Sequence, residues 1–292
     1  MNWQPVIRHI EAATGLPFKL LTVQPLAGGD INAAYRLQAE ERSFFVKLNH
    51  PERLAMFEAE AAGLEALSQT QTLRVPQFIV CGQSADHAFL VLEYFALSRL
   101  HSRSVQLLGH QLAQLHRQTQ DYFGWHCDNT IGSTVQLNGR YQDWPSFWSE
   151  QRLGQQLSLA AAHGYGGRLQ TQGAKLCASL APLFSDYSPQ PALVHGDLWG
   201  GNVAADEQGN PVIYDPACYF GDRETDLAMT ELFGGFSPAF YQAYQEAYPL
   251  DPGYERRKTL YNLYHSLNHL NLFGRGYLHQ AESMIDRCLS GV

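Results

Sequence analysis

The stretch Leu193–Asn202, Leu-Val-His-Gly-Asp-Leu-Trp-Gly-Gly-Asn, constrains the fold of this chain more than any other. The apolar run Ala192-Leu193-Val194 reads as a buried strand, and the chain then turns at Gly196 to present Asp197. Asn202 follows five residues after Asp197. A second apolar run, Val212-Ile213-Tyr214, ends at Asp215. Two strand ends are therefore expected to deliver two carboxylates and one carboxamide to one place.

That set suits phosphoryl transfer. One carboxylate orients or deprotonates the attacking hydroxyl, while a carboxylate and a carboxamide hold the Mg²⁺ ions that neutralise the phosphates. Kinase catalytic loops place Asp and Asn at this spacing, with the metal Asp on the following strand pair. Asp197 is thus the candidate base, and Asn202 and Asp215 are the candidate Mg²⁺ ligands.

The preceding half of the chain is read for partners to this set. A helix over residues 3–14 stops at Gly15 and Pro17. Strand-like runs follow at 20–23, 33–37, 43–48, 78–80 and 88–92. The first two flank Leu26-Ala27-Gly28-Gly29-Asp30-Ile31-Asn32, the form of a lid whose glycines let backbone approach phosphate oxygens. A plain hairpin turn would look the same. Lys47 interrupts an apolar strand, where it is either an edge charge facing water or a cation directed at phosphates. A helix with an apolar stripe at Leu54, Phe57, Ala61, Leu64 and Leu67 offers Glu58 and Glu60, and Glu60 is the better partner for Lys47. The strand 88–92 runs into Glu93-Tyr94-Phe95, where the Glu93 carbonyl and Phe95 amide are placed to meet adenine.

From about residue 104 the pattern becomes helical, with further helices expected at 150–163 and 168–184. Residues 121–150 are irregular and rich in aromatic side chains, which serve either core packing or a wall for a sugar or cation. Asp222 and Asp226 suit structural roles. His265 and His269 share a helix face, but no third ligand completes a zinc site. His269 is read as a substrate contact, with a core histidine as the competing role. These elements give an α+β, bilobal architecture: residues 1–95 form a nucleotide-binding lobe of antiparallel sheet with one long helix. Residues 96–292 form a larger, mainly helical lobe for catalysis and substrate, with the ligand site in the cleft between.

Charge and cysteine usage limit the partners. A formal charge of −8 disfavours nucleic acid, which needs a basic face. Five scattered cysteines without a CxxC pair suit free thiols in the cytoplasm. The N-terminus lacks the apolar core of a signal peptide, and no run is long enough for a membrane span.

On these residues the sequence resembles the fructosamine kinase (ketosamine 3-kinase) family, which shares a protein-kinase-like fold with aminoglycoside and choline kinases. The resemblance rests on His195–Asn202, Tyr214–Met229, Met56–Leu64, Phe123-Gly-Trp125, Asn129–Ser133 and Leu267–Gly274. Leu-Trp-Gly-Gly after Asp197 separates it from the aminoglycoside and choline enzymes. The resemblance implies ATP- and Mg²⁺-dependent phosphorylation of the C3 hydroxyl of a ketosamine, free or on a glycated protein. It implies Asp197 as base, Lys47 with Glu60 as phosphate clamp, and Trp199 and His269 against the sugar. Some members carry a regulatory cysteine in the Gly-rich loop; this chain has no cysteine before Cys81, so that control is not expected, and the chain is expected to be a monomer or weak dimer. The competing functions are a kinase for choline or an aminoglycoside, and a silent ATP-binding module. The module is disfavoured because Lys47, Asp197, Asn202 and Asp215 are all present.

Overall fold

The computed structural model describes residues 1–27 and 31–291. The chain divides into two compact units, Met1–Ser104 with Val203–Pro216, and Val105–Asn202 with Ala217–Val292.

The first unit is built on a five-stranded antiparallel sheet. Its elements are α1 (Gln4–Thr14), β1 (Thr22–Leu26), β2 (Ala33–Gln38), β3 (Ser43–Asn49), α2 (Leu54–Gln69), β4 (Phe78–Gln83) and β5 (Ala88–Glu93), with strand order β1-β2-β3-β5-β4. Pro5 opens α1, and Gly15 closes it in the left-handed region at φ 68°. Val6, Ile7 and Ile10 of α1 join a core with Leu37, Val46, Leu48, Phe89 and Val91 of the sheet. β3 contributes Phe44, Val46 and Leu48 and β5 contributes Phe89 and Val91, alternate residues that share one face of the sheet.

The first strand differs from its expected span. It begins at Thr22 and runs to Leu26, because its register against β2 (Thr22 opposite Gln38, Leu26 opposite Ala34) extends the hairpin past Pro25. Proline is tolerated there because β1 is an edge strand. The short hairpin Val203–Ala205 and Pro211–Ile213 also belongs to the first unit. Ser98 and Ala205 exchange backbone hydrogen bonds at 2.8 and 2.9 Å, and Ile213 N–H donates to the Arg74 carbonyl at 3.0 Å.

The second unit is mainly helical. Helix Tyr254–Phe273 is its spine, with Leu260, Tyr261, Leu263, Tyr264, Leu267 and Leu270 all buried. The aromatic stretch goes largely into this core: Trp144, Phe147 and Trp148 are fully buried and Trp144 stacks on Phe147. The helix expected at 150–163 starts earlier, as Trp144–Phe147, continues through a π-helical segment Trp148–Gly154 and ends as Gln155–Ala162. The one expected at 168–184 stops at Cys177, and Ala181–Phe184 forms a separate 3-10 turn around Pro182, which cannot continue a helix. Two strand pairs support the functional loop, Ala192–Val194 with Tyr219–Gly221 and Asn129–Ile131 with Thr134–Gln136. Among the described residues, no helix is long and apolar enough to cross a membrane.

Candidate active site

The first unit carries a cationic clamp. β3 is the central strand, so Lys47 is buried rather than an edge charge facing water. Its Nζ lies 2.7 Å from Glu60 Oε1 of α2 and 2.7 Å from Asp215 Oδ1. Burial pulls the Lys47 pKa down, but Asp215 and Glu60 more than offset it, and the ammonium is held charged. Asp215 is the exposed corner of this triad, with 43% of its side chain accessible. Its backbone sits at φ 57°, a left-handed conformation uncommon outside glycine and often found where function over-determines the backbone. One carboxylate oxygen therefore meets Lys47 while the side chain as a whole remains open to a further ligand.

The connector after β5 is fixed by Arg74, a residue the sequence pattern gave no reason to select. Its guanidinium pairs with Asp206 at 2.9 Å and with Glu93 at 3.4 Å, and lies 4.4 Å from the Phe95 ring centre. The Glu93 amide donates to the Gln77 carbonyl at 2.9 Å. Glu93 and Phe95 thus lie in one braced segment. Gly28, Gly29 and Asp30 lie outside the described residues.

The second unit carries the loop His195–Asn202. Gly196 is required by two constraints together: its φ is 83°, and a Cβ would stand 2.1 Å from the Ala217 carbonyl oxygen. The His195 carbonyl accepts from Ala217 N–H at 2.8 Å, which ties the loop to the chain entering Tyr219–Gly221. Asn202 Nδ2 donates to both the Asp197 carbonyl at 2.8 Å and Asp197 Oδ2 at 3.1 Å. The loop is closed on itself by this pair, and the amide oxygen of Asn202 is turned away from Asp197.

Asp226 anchors the loop from beneath. Its Oδ2 accepts from His195 N–H at 2.7 Å and its Oδ1 from Gly196 N–H at 2.8 Å, while His116 Nε2 lies 3.1 Å from Oδ2. Burial would push this carboxyl up, yet His116, His195 and the Gly196 amide hold it below the usual carboxylate range. A second brace comes from the Asn129–Ile131 and Thr134–Gln136 pair. Gln136 Nε2 donates to the Ala217 carbonyl at 3.1 Å, Asn129 Nδ2 donates to the Cys218 carbonyl at 2.7 Å, and Tyr264 O–H donates to Gln136 Oε1 at 2.7 Å. His116, Asn129 and Gln136 were not selected from sequence as parts of this site, because their partners lie far along the chain.

Trp199 and His269 are brought together through a third ring. The Trp199 ring folds over Gly201, where a Cβ would meet it at 2.3 Å, and 38% of Trp199 is exposed. Phe233 contacts Trp199 edge to face at 5.9 Å and His269 at 5.0 Å. His265 is buried and its pKa falls to about 3, chiefly through burial and then His269, so it stays neutral. Among the described residues, no three His, Cys, Asp or Glu side chains form a metal cluster.

Known proteins resemble this chain over nearly its full length. The family model described as fructosamine kinase matches residues 2–291. A probable ketoamine kinase of Synechocystis is 49% identical over 98% of this chain and 97% of its own. The chloroplastic protein-ribulosamine 3-kinase of Arabidopsis thaliana is 42% identical over 96% of this chain and 86% of its own. A crystal structure of a fructosamine-3-kinase candidate from Haemophilus somnus superposes with a TM-score of 0.91 at 31% identity, covering 98% of this chain and 97% of that one. An aminoglycoside phosphotransferase bound to AMP-PNP and hygromycin B matches at a TM-score of 0.65 and 15% identity, over 98% of each chain, a likeness of fold.

Proposed function

Because the chain belongs to the fructosamine kinase family, we propose that it transfers the γ-phosphoryl group of ATP to the C3 hydroxyl of a ketosamine, the sugar adduct of an amine. The observation that carries this reading is the loop Asp197–Asn202, in which the candidate base is held by Asn202 and a tryptophan ring is laid over Gly201 beside it. Asp197 accepts the proton of the C3 hydroxyl as that oxygen attacks, and the hydrogen bond from Asn202 Nδ2 fixes the carboxylate's direction. Lys47, kept charged by Asp215 and Glu60, offers its ammonium to the nucleotide phosphates. Trp199 and His269 take the sugar.

The donor set also fits Mg²⁺, a hard cation that prefers oxygen ligands. Asp215 presents an accessible carboxylate, and Asn202, with its nitrogen committed to Asp197, presents an amide oxygen. When bound, the metal neutralises charge on the phosphates. Residues 1–95 would supply the nucleotide side, apart from Asp215, and residues 96–292 the catalytic and substrate side. No disulfide joins the cysteines among the described residues, which suits a reducing compartment, and we place the enzyme in the cytoplasm as a monomer or weak dimer acting on free adducts or glycated proteins.

The test is ATP consumption with Mg²⁺ on ribulose-lysine, fructose-lysine, choline and kanamycin. Turnover of a ketose-lysine is expected, and Asp197→Ala should reduce kcat by about 10²–10⁴-fold with ATP still bound. Turnover of choline or kanamycin alone would overturn the acceptor, and an active Asp197→Ala would overturn the base.

A further inference from the structure

A band of aromatic rings extends from the functional loop across the second unit. Trp199 contacts Phe233, Phe233 contacts His269, and His269 contacts Tyr277 at 5.1 Å and Phe273 at 5.3 Å. Phe273 and Tyr277 also face each other at 6.3 Å. Phe233 is 43% exposed and Phe273 is 53% exposed, so the outer rings remain at the surface. Isolated exposed apolar residues are ordinary, whereas contiguous ones mark a ligand or partner surface.

The acceptor's own structure supplies an occupant. On the reading given above, the reactive C3 hydroxyl lies at Asp197 and the sugar against Trp199. The amine nitrogen is a few bonds from C3, and in a lysine adduct a four-carbon stem follows it. A chain leaving a sugar held by Trp199 and His269 meets Phe233, which touches both rings, and Phe273 and Tyr277, which flank His269. Methylene groups bury on ring faces while the electron-rich faces attract the charge on the protonated nitrogen.

His269 adds direction. Its Nδ1 lies 2.7 Å from the His265 carbonyl oxygen, which can only accept, so Nδ1 carries the proton. Burial lowers the His269 pKa, so the ring is neutral and presents Nε2 as an acceptor. It can take an N–H or O–H from the adduct without repelling its charge.

We propose that Phe233, Phe273 and Tyr277, together with His269, form a subsite for the amine side of the acceptor that takes the alkyl stem of a glycated lysine. This rests on the ketosamine reading. The test compares kcat/KM for the ribulose adducts of methylamine and of Nα-acetyl-lysine amide, which share the sugar and differ in the stem. Wild type should favour the lysine adduct by about tenfold, the size of one or two such contacts. Phe273→Ala should bring that ratio to near one through KM for the lysine adduct, and Phe273→Trp should restore it. A wild-type ratio near one, or a ratio unchanged in Phe273→Ala, overturns the subsite while leaving the ketosamine reading intact. No wild-type turnover of either adduct overturns that reading and the subsite with it.

Discussion

Lys47 is a buried cation between two carboxylates, and its removal tests the clamp directly. Lys47→Met keeps most of the volume but leaves Glu60 and Asp215 without their shared partner. Breaking a buried pair costs about 3–5 kcal/mol, so the urea midpoint should fall markedly and nucleotide affinity should fall with it. A midpoint equal to wild type would show that the triad contributes nothing to the fold. Gly201 asks a different question. The three atoms nearest an added Cβ all belong to the Trp199 ring, a movable side chain. Gly201→Ala should therefore displace that ring, raising KM for the ketosamine about tenfold with little change in KM for ATP or in stability. Steady-state kinetics in both substrates, beside a melting curve, would check it.

At the scale of elements, the loop is positioned by a helix it does not belong to. Asp226 lies in the first turn of helix Glu224–Leu232, yet both of its oxygens are spent on amides of His195 and Gly196. Asp226→Asn keeps the shape but loses the charge and replaces an acceptor oxygen with a donor nitrogen opposite an N–H. It should destabilise by about 1–3 kcal/mol and lower kcat more than either KM, measured by denaturation and by steady-state kinetics. Turnover at the wild-type rate would show that the loop holds its place without this anchor. The local parts of this arrangement were legible in the sequence. Asp197, Asn202 and Asp215 announce themselves through fixed spacing after apolar runs, and the β3 lysine through an interruption of one. Asp226 could be read as an anchor but not as an anchor of His195 and Gly196. Asn129 lies in a stretch that carries the resemblance, but its bond to the Cys218 carbonyl was not legible, and Arg74 and Gln136 left no pattern, because a single polar side chain bonded to a distant carbonyl or carboxylate has no periodicity. The edge strand shifted for a related reason: pairing with β2, rather than its own apolar residues, sets where β1 ends.

For the whole molecule, the buried histidines link stability to acidity. His116 and His265 both have pKa values lowered from 6.5 by burial, His265 to about 3. The unfolded chain therefore binds protons that the folded chain refuses. Their contribution is complete above pH 6.5 and is lost progressively as pH falls toward 3. Urea midpoints across that range should decline in wild type and decline less steeply in His265→Gln; parallel curves would assign the acid loss elsewhere. Val203–Pro216 belongs to the unit built on the N-terminal sheet although it follows the loop His195–Asn202 in sequence. Chain order alone does not reveal that return. The tryptophans show a further consequence of how the chain is packed. Trp125, Trp144 and Trp148 are shut in the interior and Trp3 is half-buried against Tyr35, while Trp199, two residues after Asp197, is the most exposed of the five. Their emission should separate by colour, the buried three toward the blue and Trp199 toward the red. A sugar settling on that one indole would dry it, so the protein carries an optical gauge of acceptor occupancy that needs no added dye.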